Sequence, residues 1–181
     1  MVSALAAVVT VHGSVERTFT YAIAQRGAIH ADMHAFAAFV SRVYADPRGW
    51  SLGGRVAFRQ VQTGADFTVW LASADEMASF GGGCSRQWDC RAGRDIVINQ
   101  TRWFGGSLFW HGALDDYRTM ILNHETGHWL GLDHQSCPAP GALAPVMMQQ
   151  SKGTAACIPN PRPLQEEQAR VARILDLATP P

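Results

Sequence analysis

Net charge is absent from this sequence: 15 Lys and Arg balance 15 Asp and Glu, and the sequence pI is near 7.0. A chain this neutral offers no electrostatic footprint for nucleic acid or an anionic membrane surface, so neither is expected as a partner. No apolar run approaches the roughly 18 residues of a membrane-spanning helix, which argues against membrane insertion. Charged residues are scarce at 17%, yet hydrophobic residues reach 47%, so intrinsic disorder is excluded as well. Repeats and low-complexity linkers are missing too. The 181 residues therefore fit one domain, 1–181, that buries its own core and is expected to be a monomer.

The opening stretch Met1–Val11 is apolar, as a secretory leader is, but lacks a basic n-region and is short for an h-region. It is read instead as structure, with a strand at Leu5–Val11 or at Val15–Ala24. C-x-x-C spacing is another absence, and it argues against a four-thiolate zinc site. What is present is an even set of cysteines, Cys84, Cys90, Cys137 and Cys157, in Gly/Pro/Ser-rich stretches. Four cysteines allow three pairings. The local one, Cys84–Cys90 with Cys137–Cys157, is the simplest, and it points to a secreted, extracytoplasmic protein.

Periodicity supplies the elements. Asp32 is placed to cap a helix running to about Tyr44, with Met33, Phe36, Ala37, Val40, Val43 and Tyr44 on its apolar stripe. Asp46-Pro47-Arg48-Gly49 ends it as a turn. Strands are predicted at Arg55–Gln62, at Ala65–Ala72 with Phe67, Val69 and Leu71 inward, and at Asp95–Gln100. Ser79–Gly93 reads as a glycine-rich loop and Trp103–Gly112 as an aromatic-glycine connection, in which Trp103, Phe104, Phe109 and Trp110 line a cleft or pack a core. The longest helix is expected over Leu114–Leu130, and Asp133–Pro163 is expected to be irregular. A last helix, Leu164–Ala178, would bury Leu164, Val171, Ile174, Leu175 and Ala178. The order reads as α+β.

His124-Glu125-Thr126-Gly127-His128-Trp129-Leu130-Gly131-Leu132-Asp133-His134 carries the chemistry. Residues four apart share a helix face, so His124 and His128 aim two imidazoles at one metal ion. Glu125, one residue round the helix, misses the ligand position but reaches a water held there. Gly131 permits a positive φ that ends the helix, and His134 then swings back as third ligand. Three protein ligands with an open position describe a catalytic zinc, whereas structural sites are closed by four. Chance produces the whole pattern in roughly a few chains per hundred thousand. Asp133 is one residue short of the third-ligand offset and is read as a cap or a hydrogen-bonding neighbour. His30 and His34 beside Asp32 read as solvated residues, His111 as a loop histidine, and Asp115 and Asp116 as helix-start acids.

The stretch resembles the H-E-x-x-H-x-x-G-x-x-H signature of the metzincin metalloproteases. Ala144-Pro145-Val146-Met147-Met148-Gln149 resembles that clan's Met-turn, an apolar floor beneath the metal. More widely, about 35–163 resembles a family of small secreted bacterial zincin-like domains of unassigned function, through Ala45-Asp-Pro-Arg-Gly-Trp50, Asn123–Gly131, Pro145–Gln150 and Cys157-Ile-Pro-Asn-Pro161. The resemblance implies a zincin with a small twisted mixed sheet, an N-terminal backing helix, an active-site helix, an irregular Met-turn segment and a C-terminal helix. It implies an upper subdomain over about 1–131 and a lower one over about 132–181. One Zn²⁺ would be held by His124, His128 and His134, with Glu125 as general base toward a zinc-bound water. Met147 or Met148 would be the Met-turn residue, with Met147 favoured. The tyrosine that follows the Met-turn in some clan members is lacking, since Tyr21, Tyr44 and Tyr117 all precede the motif.

The implied activity is that of a secreted zinc endopeptidase acting on a peptide or protein. Alternatives are a zinc-binding, non-proteolytic peptide-binding module and a zinc hydrolase of a non-protein amide; the intact Glu125 argues against the former. Substrate would pair with an edge strand, for which Ile96, Val97, Ile98 and Asn99 are the candidates.

Overall fold

The computed structural model describes residues 14–177, and the proposed strand at Leu5–Val11 and the end of the last helix at Ala178 lie outside them. Five strands form one sheet: β1 (Arg17–Arg26), β2 (Val56–Gln60), β3 (Phe67–Ala72), β4 (Cys90–Ala92) and β5 (Asp95–Asn99), in the order β2-β1-β3-β5-β4. All neighbours are parallel except β4, which runs antiparallel to β5. The helices are α1 (Met33–Ala45), α2 (Gln100–Gly105), α3 (Leu114–Trp129) and α4 (Gln165–Ile174). The result is a mixed α/β molecule with a mostly parallel sheet.

Alternation in β3 works as the pattern requires. Phe67, Val69 and Leu71 are buried against α1 and α3, while Trp70 faces the other side, where its indole N–H donates to Asp95 at 2.8 Å. Helix α1 starts where Asp32 Oδ1 accepts from the N–H groups of His34 and Ala35, and it buries Phe36, Phe39, Val40, Val43 and Tyr44. Tyr44 packs on Tyr21, Phe58 and Phe67, and its hydroxyl meets Thr126 Oγ1 at 3.0 Å in the middle of α3. Thr126 gives its own proton to the Leu122 carbonyl at 2.7 Å, so Tyr44 is the donor in that pair. The backing helix is thereby tied to the motif helix by one polar contact inside an apolar interface.

Four expectations need correction. Strand β5 is not an edge: β3 flanks it on one side and β4 on the other, and Ile96, Val97, Ile98 and Asn99 are all buried. The glycine-rich segment contains the missing strand, β4, because the Gly93-Arg94 turn folds Cys90–Ala92 back onto β5. The aromatic-glycine connection begins as helix α2, capped by Asn99 Oδ1 accepting from Thr101 N–H at 2.9 Å. In α4, Val171 is buried but Ile174 is 52% exposed, and the inward position one turn before Val171 belongs to a carboxylate, Glu167.

No helix among the described residues is long and apolar enough to cross a membrane. Disulfides join Cys84 to Cys90 and Cys137 to Cys157.

Candidate metal centre and cleft

Helix α3 carries His124 and His128 one turn apart on a single face. The helix then stops in a Schellman motif: Leu132 N–H reaches back to Gly127 O at 2.9 Å, and Gly131 N–H to His128 O at 3.1 Å. Gly131 has φ +96°, which L residues rarely adopt, and this bend turns the chain so that His134 faces the other two rings. Ligand atoms of all three imidazoles lie within 4.8 Å of one another. Among the described residues this is the one group of three or more His, Cys, Asp or Glu so placed. Asp133 is exposed and outside it, as are His30, His34 and His111.

The hydrogen bonds fix which nitrogen of each ring faces inward. His124 Nδ1 lies 2.8 Å from Val146 O, and His128 Nδ1 lies 2.8 Å from Leu132 O. A carbonyl only accepts, so both Nδ1 atoms carry the proton and both Nε2 atoms present lone pairs. His128 Nε2 stands 3.2 Å from His124 Nε2 and 3.1 Å from His134 Nε2. Lone pairs facing each other at that distance repel unless a cation lies between them. Two nitrogens on a tetrahedral zinc, each about 2.0–2.1 Å away, stand about 3.3 Å apart, so the donor set fits. Burial, above all, keeps the rings neutral and ready to ligate: His124 is pushed down to about 3, and His128 and His134 are also lowered.

Beneath the rings lies the segment Ala144–Gln150. Met147 is fully buried and Met148 half-buried. A Cβ at Gly127 would stand 2.3 Å from Met147 Sδ and 3.0 Å from Trp50 Cζ2, so Gly127 is where helix, floor and Trp50 approach closest. Trp50 also donates its indole N–H to Asn123 O at 2.8 Å. The floor is held by side chains outside the motif. Glu167, on α4, accepts from Val146 N–H at 3.0 Å, Met147 N–H at 2.9 Å and Leu164 N–H at 2.7 Å. Gln150 is buried and bonds both Asn160 O (2.8 Å) and Asn160 N–H (2.9 Å), and Asn160 Nδ2 donates to Ala144 O at 2.9 Å. A buried glutamate three residues into a helix beginning at Leu164 was the only visible sign, as half of a capping box.

The three histidines and Glu125 line a cleft of about 310 Å³. Two stretches outside the motif also line it: Trp88, Asp89, Cys90 and Arg91, and Gln149, Gln150, Ser151 and Lys152. None of Trp103, Phe104, Phe109 and Trp110 lines it: Trp103 packs on Phe36 and Phe39, and Trp110 on Tyr117. Glu125 is buried, and that burial raises its pKa well above the ordinary glutamate value, with the charge of Asp89 adding to the rise and Arg91 opposing it. Asp89 accepts from Asn99 N–H at 2.8 Å and is raised to about 7, again chiefly by burial.

Among solved structures, the archaemetzincin of Methanopyrus kandleri aligns with 87% of this chain and 96% of its own, at 16% identity and a TM-score of 0.49. No curated protein matches the chain. A family described as protein of unknown function (DUF3152) matches residues 2–160, and the chain belongs to that family.

Proposed function

We propose that the protein is a secreted, monomeric zinc-dependent endopeptidase whose cleft lies between an upper part, up to residue 131, and a lower part that follows it. One observation carries this reading: three imidazole Nε2 atoms converge, two of them locked in the ligating tautomer, beside a buried glutamate in an open cleft. His124, His128 and His134 would hold the ion. A zinc ion held there would lower the pKa of a water to about 7 and polarise a carbonyl.

The chain supplies the rest. The Val146 and Leu132 carbonyls hold the His124 and His128 rings in position. Glu125 takes a proton from the attacking water on a carboxylate oxygen and passes it to the leaving amine nitrogen. Burial opposes the ionised form this role needs, and the cation beside it favours that form. Met147, packed under Gly127, acts as the Met-turn floor. Strand β4, the sheet edge whose Cys90 and Arg91 line the cleft, is where an extended peptide adds its backbone. The two disulfides support an oxidising, extracytoplasmic setting.

The test combines elemental analysis with a digest of capped peptides. About one zinc per chain is expected, with cleavage that stops on chelation. Glu125→Ala should keep the zinc and lose turnover by about 10³-fold or more. Zinc without any cleavage would replace this reading with that of a peptide-binding module, and cleavage confined to non-peptide amides with that of an amide hydrolase.

A further inference from the structure

Four charged side chains line the cleft, and they differ in how freely they face it. Glu125 is buried, and Asp89 is half-buried with its carboxylate held by the Asn99 N–H. The two exposed ones are both cations, Arg91 and Lys152, although the chain as a whole has no net charge. Arg91 sits on β4, and Lys152 ends the short turn Gln150–Lys152 that follows the Met147 segment. Both are felt at the centre: Arg91 acts on Glu125 and His128, and Lys152 on His124 and His134. Neither forms a salt bridge among the described residues, whereas Arg48, Arg55, Arg86, Arg118 and Arg162 all do. Lys152 Nζ lies 5.8 Å from the centre of the Trp88 ring, and the Arg102 guanidinium lies 4.6 Å from that ring's centre. Trp88 is thus an aromatic rest that keeps the ammonium at the cleft wall without neutralising it.

We propose that Arg91 and Lys152 determine specificity, selecting peptides that carry a carboxylate within a residue or two of the scissile bond. The inference rests on the endopeptidase reading for the words "scissile bond" only; carboxylate recognition itself is a binding property. Two cations in one cleft draw in an anionic segment and disfavour a basic one by like-charge repulsion.

The experiment uses zinc-loaded protein and paired peptides, Glu against Gln at each position around the cleaved bond, with the C-terminus either free or amidated. Cleavage is read for the wild-type chain, and binding of fluorescent copies by anisotropy for Glu125→Gln. A preference of about tenfold for the Glu peptide is expected in both readouts, shrinking in high salt. Lys152→Glu and Arg91→Glu, both at exposed positions that leave the core intact, should lower that preference, and the double reversal should favour Lys-containing peptides. Preference confined to free C-termini would also support the proposal and assign the carboxylate to a chain end. Equal handling of Glu, Gln and free-acid peptides, or unchanged preference in the double reversal, overturns it. If nothing is cleaved but acidic peptides still bind selectively, the endopeptidase reading fails and this one stands.

Discussion

The regular and the irregular parts of the chain are ordered in different ways. Above the cleft, the sheet, α1 and α3 form one apolar cluster in which Tyr21, Phe36, Phe67, Leu71, Ile98 and Met120 are almost wholly buried. Residues 132–164 have little regular structure: Leu132, Val146 and Met147 join the same apolar cluster, while backbone groups of Ala144, Val146, Met147 and Asn160 are met by the side chains of Glu167, Gln150 and Asn160. A hydrophobic core tolerates many sequences of the right pattern, because apolar burial is non-directional. An irregular segment has no such latitude, since each buried N–H and C=O needs its own partner. The three-histidine group straddles the two, with His124 and His128 on α3 and His134 from the irregular segment.

The sharpest test of that division removes one ligand from each half. His128→Ala and His134→Ala should both reduce retained zinc from about one ion per chain to under about a tenth, measured after dialysis, because neither pair of remaining rings completes the donor set. If His134→Ala keeps its zinc, the irregular half does not contribute to the centre.

The disulfides come next. Removing Cys137–Cys157, which are 20 residues apart, should cost about 3 kcal/mol in denaturant unfolding and lower activity, since the bridge encloses the floor. Removing Cys84–Cys90, only 6 residues apart, should cost about 2 kcal/mol. Equal losses would show that the lower half does not depend more on its bridge.

Glu167→Gln replaces an acceptor of three N–H groups with an amide that accepts through one oxygen only. A loss of about 2 kcal/mol and about tenfold weaker zinc binding are expected, by thermal melting and by chelator competition. Gly127→Ala probes the seam between the halves. The added methyl collides with Met147 Sδ, so about 2 kcal/mol should be lost despite the gain in helix propensity, and Met147→Ala in the same chain should return part of it.

The smallest effect concerns Asp46, which joins the turn after α1 to the lower half through Arg162 Nε at 2.9 Å. Its bond to Arg48, more than any other cause, lowers its pKa, with Arg162 lowering it further. The folded value thus lies below the unfolded one, and the stabilisation is complete above about pH 4 and lost as pH falls toward the folded value. Asp46→Asn should cost up to about 1 kcal/mol at neutral pH, and the difference from wild type should vanish in acid.

How much of this was legible follows the same division. Helix α1 with its Asp32 cap and the alternation of β3 were readable because apolar spacing repeats along the chain, and the end of α3 because Gly131 marks a left-handed cap. The relation of β4 to β5 was not. Cys90-Arg91-Ala92 is only three residues, too short for its alternation to register, and its pairing with β5 moves the sheet edge away from Ile96–Asn99. Trp88, Asp89 and Lys152 were equally hidden, since each reaches the cleft from a segment without periodicity.

The sequence by itself determined the donor atoms: helical spacing puts His124 and His128 on one face, and glycine at 131 lets the chain turn toward His134. Tertiary structure alone decided what surrounds them. It placed Met147 rather than Met148 under Gly127, a carboxylate from α4 against the Val146 and Met147 backbone, and two cations without a salt bridge in one cleft. Local spacing is set by the geometry of one helix, whereas contacts across dozens of residues depend on how separate elements pack.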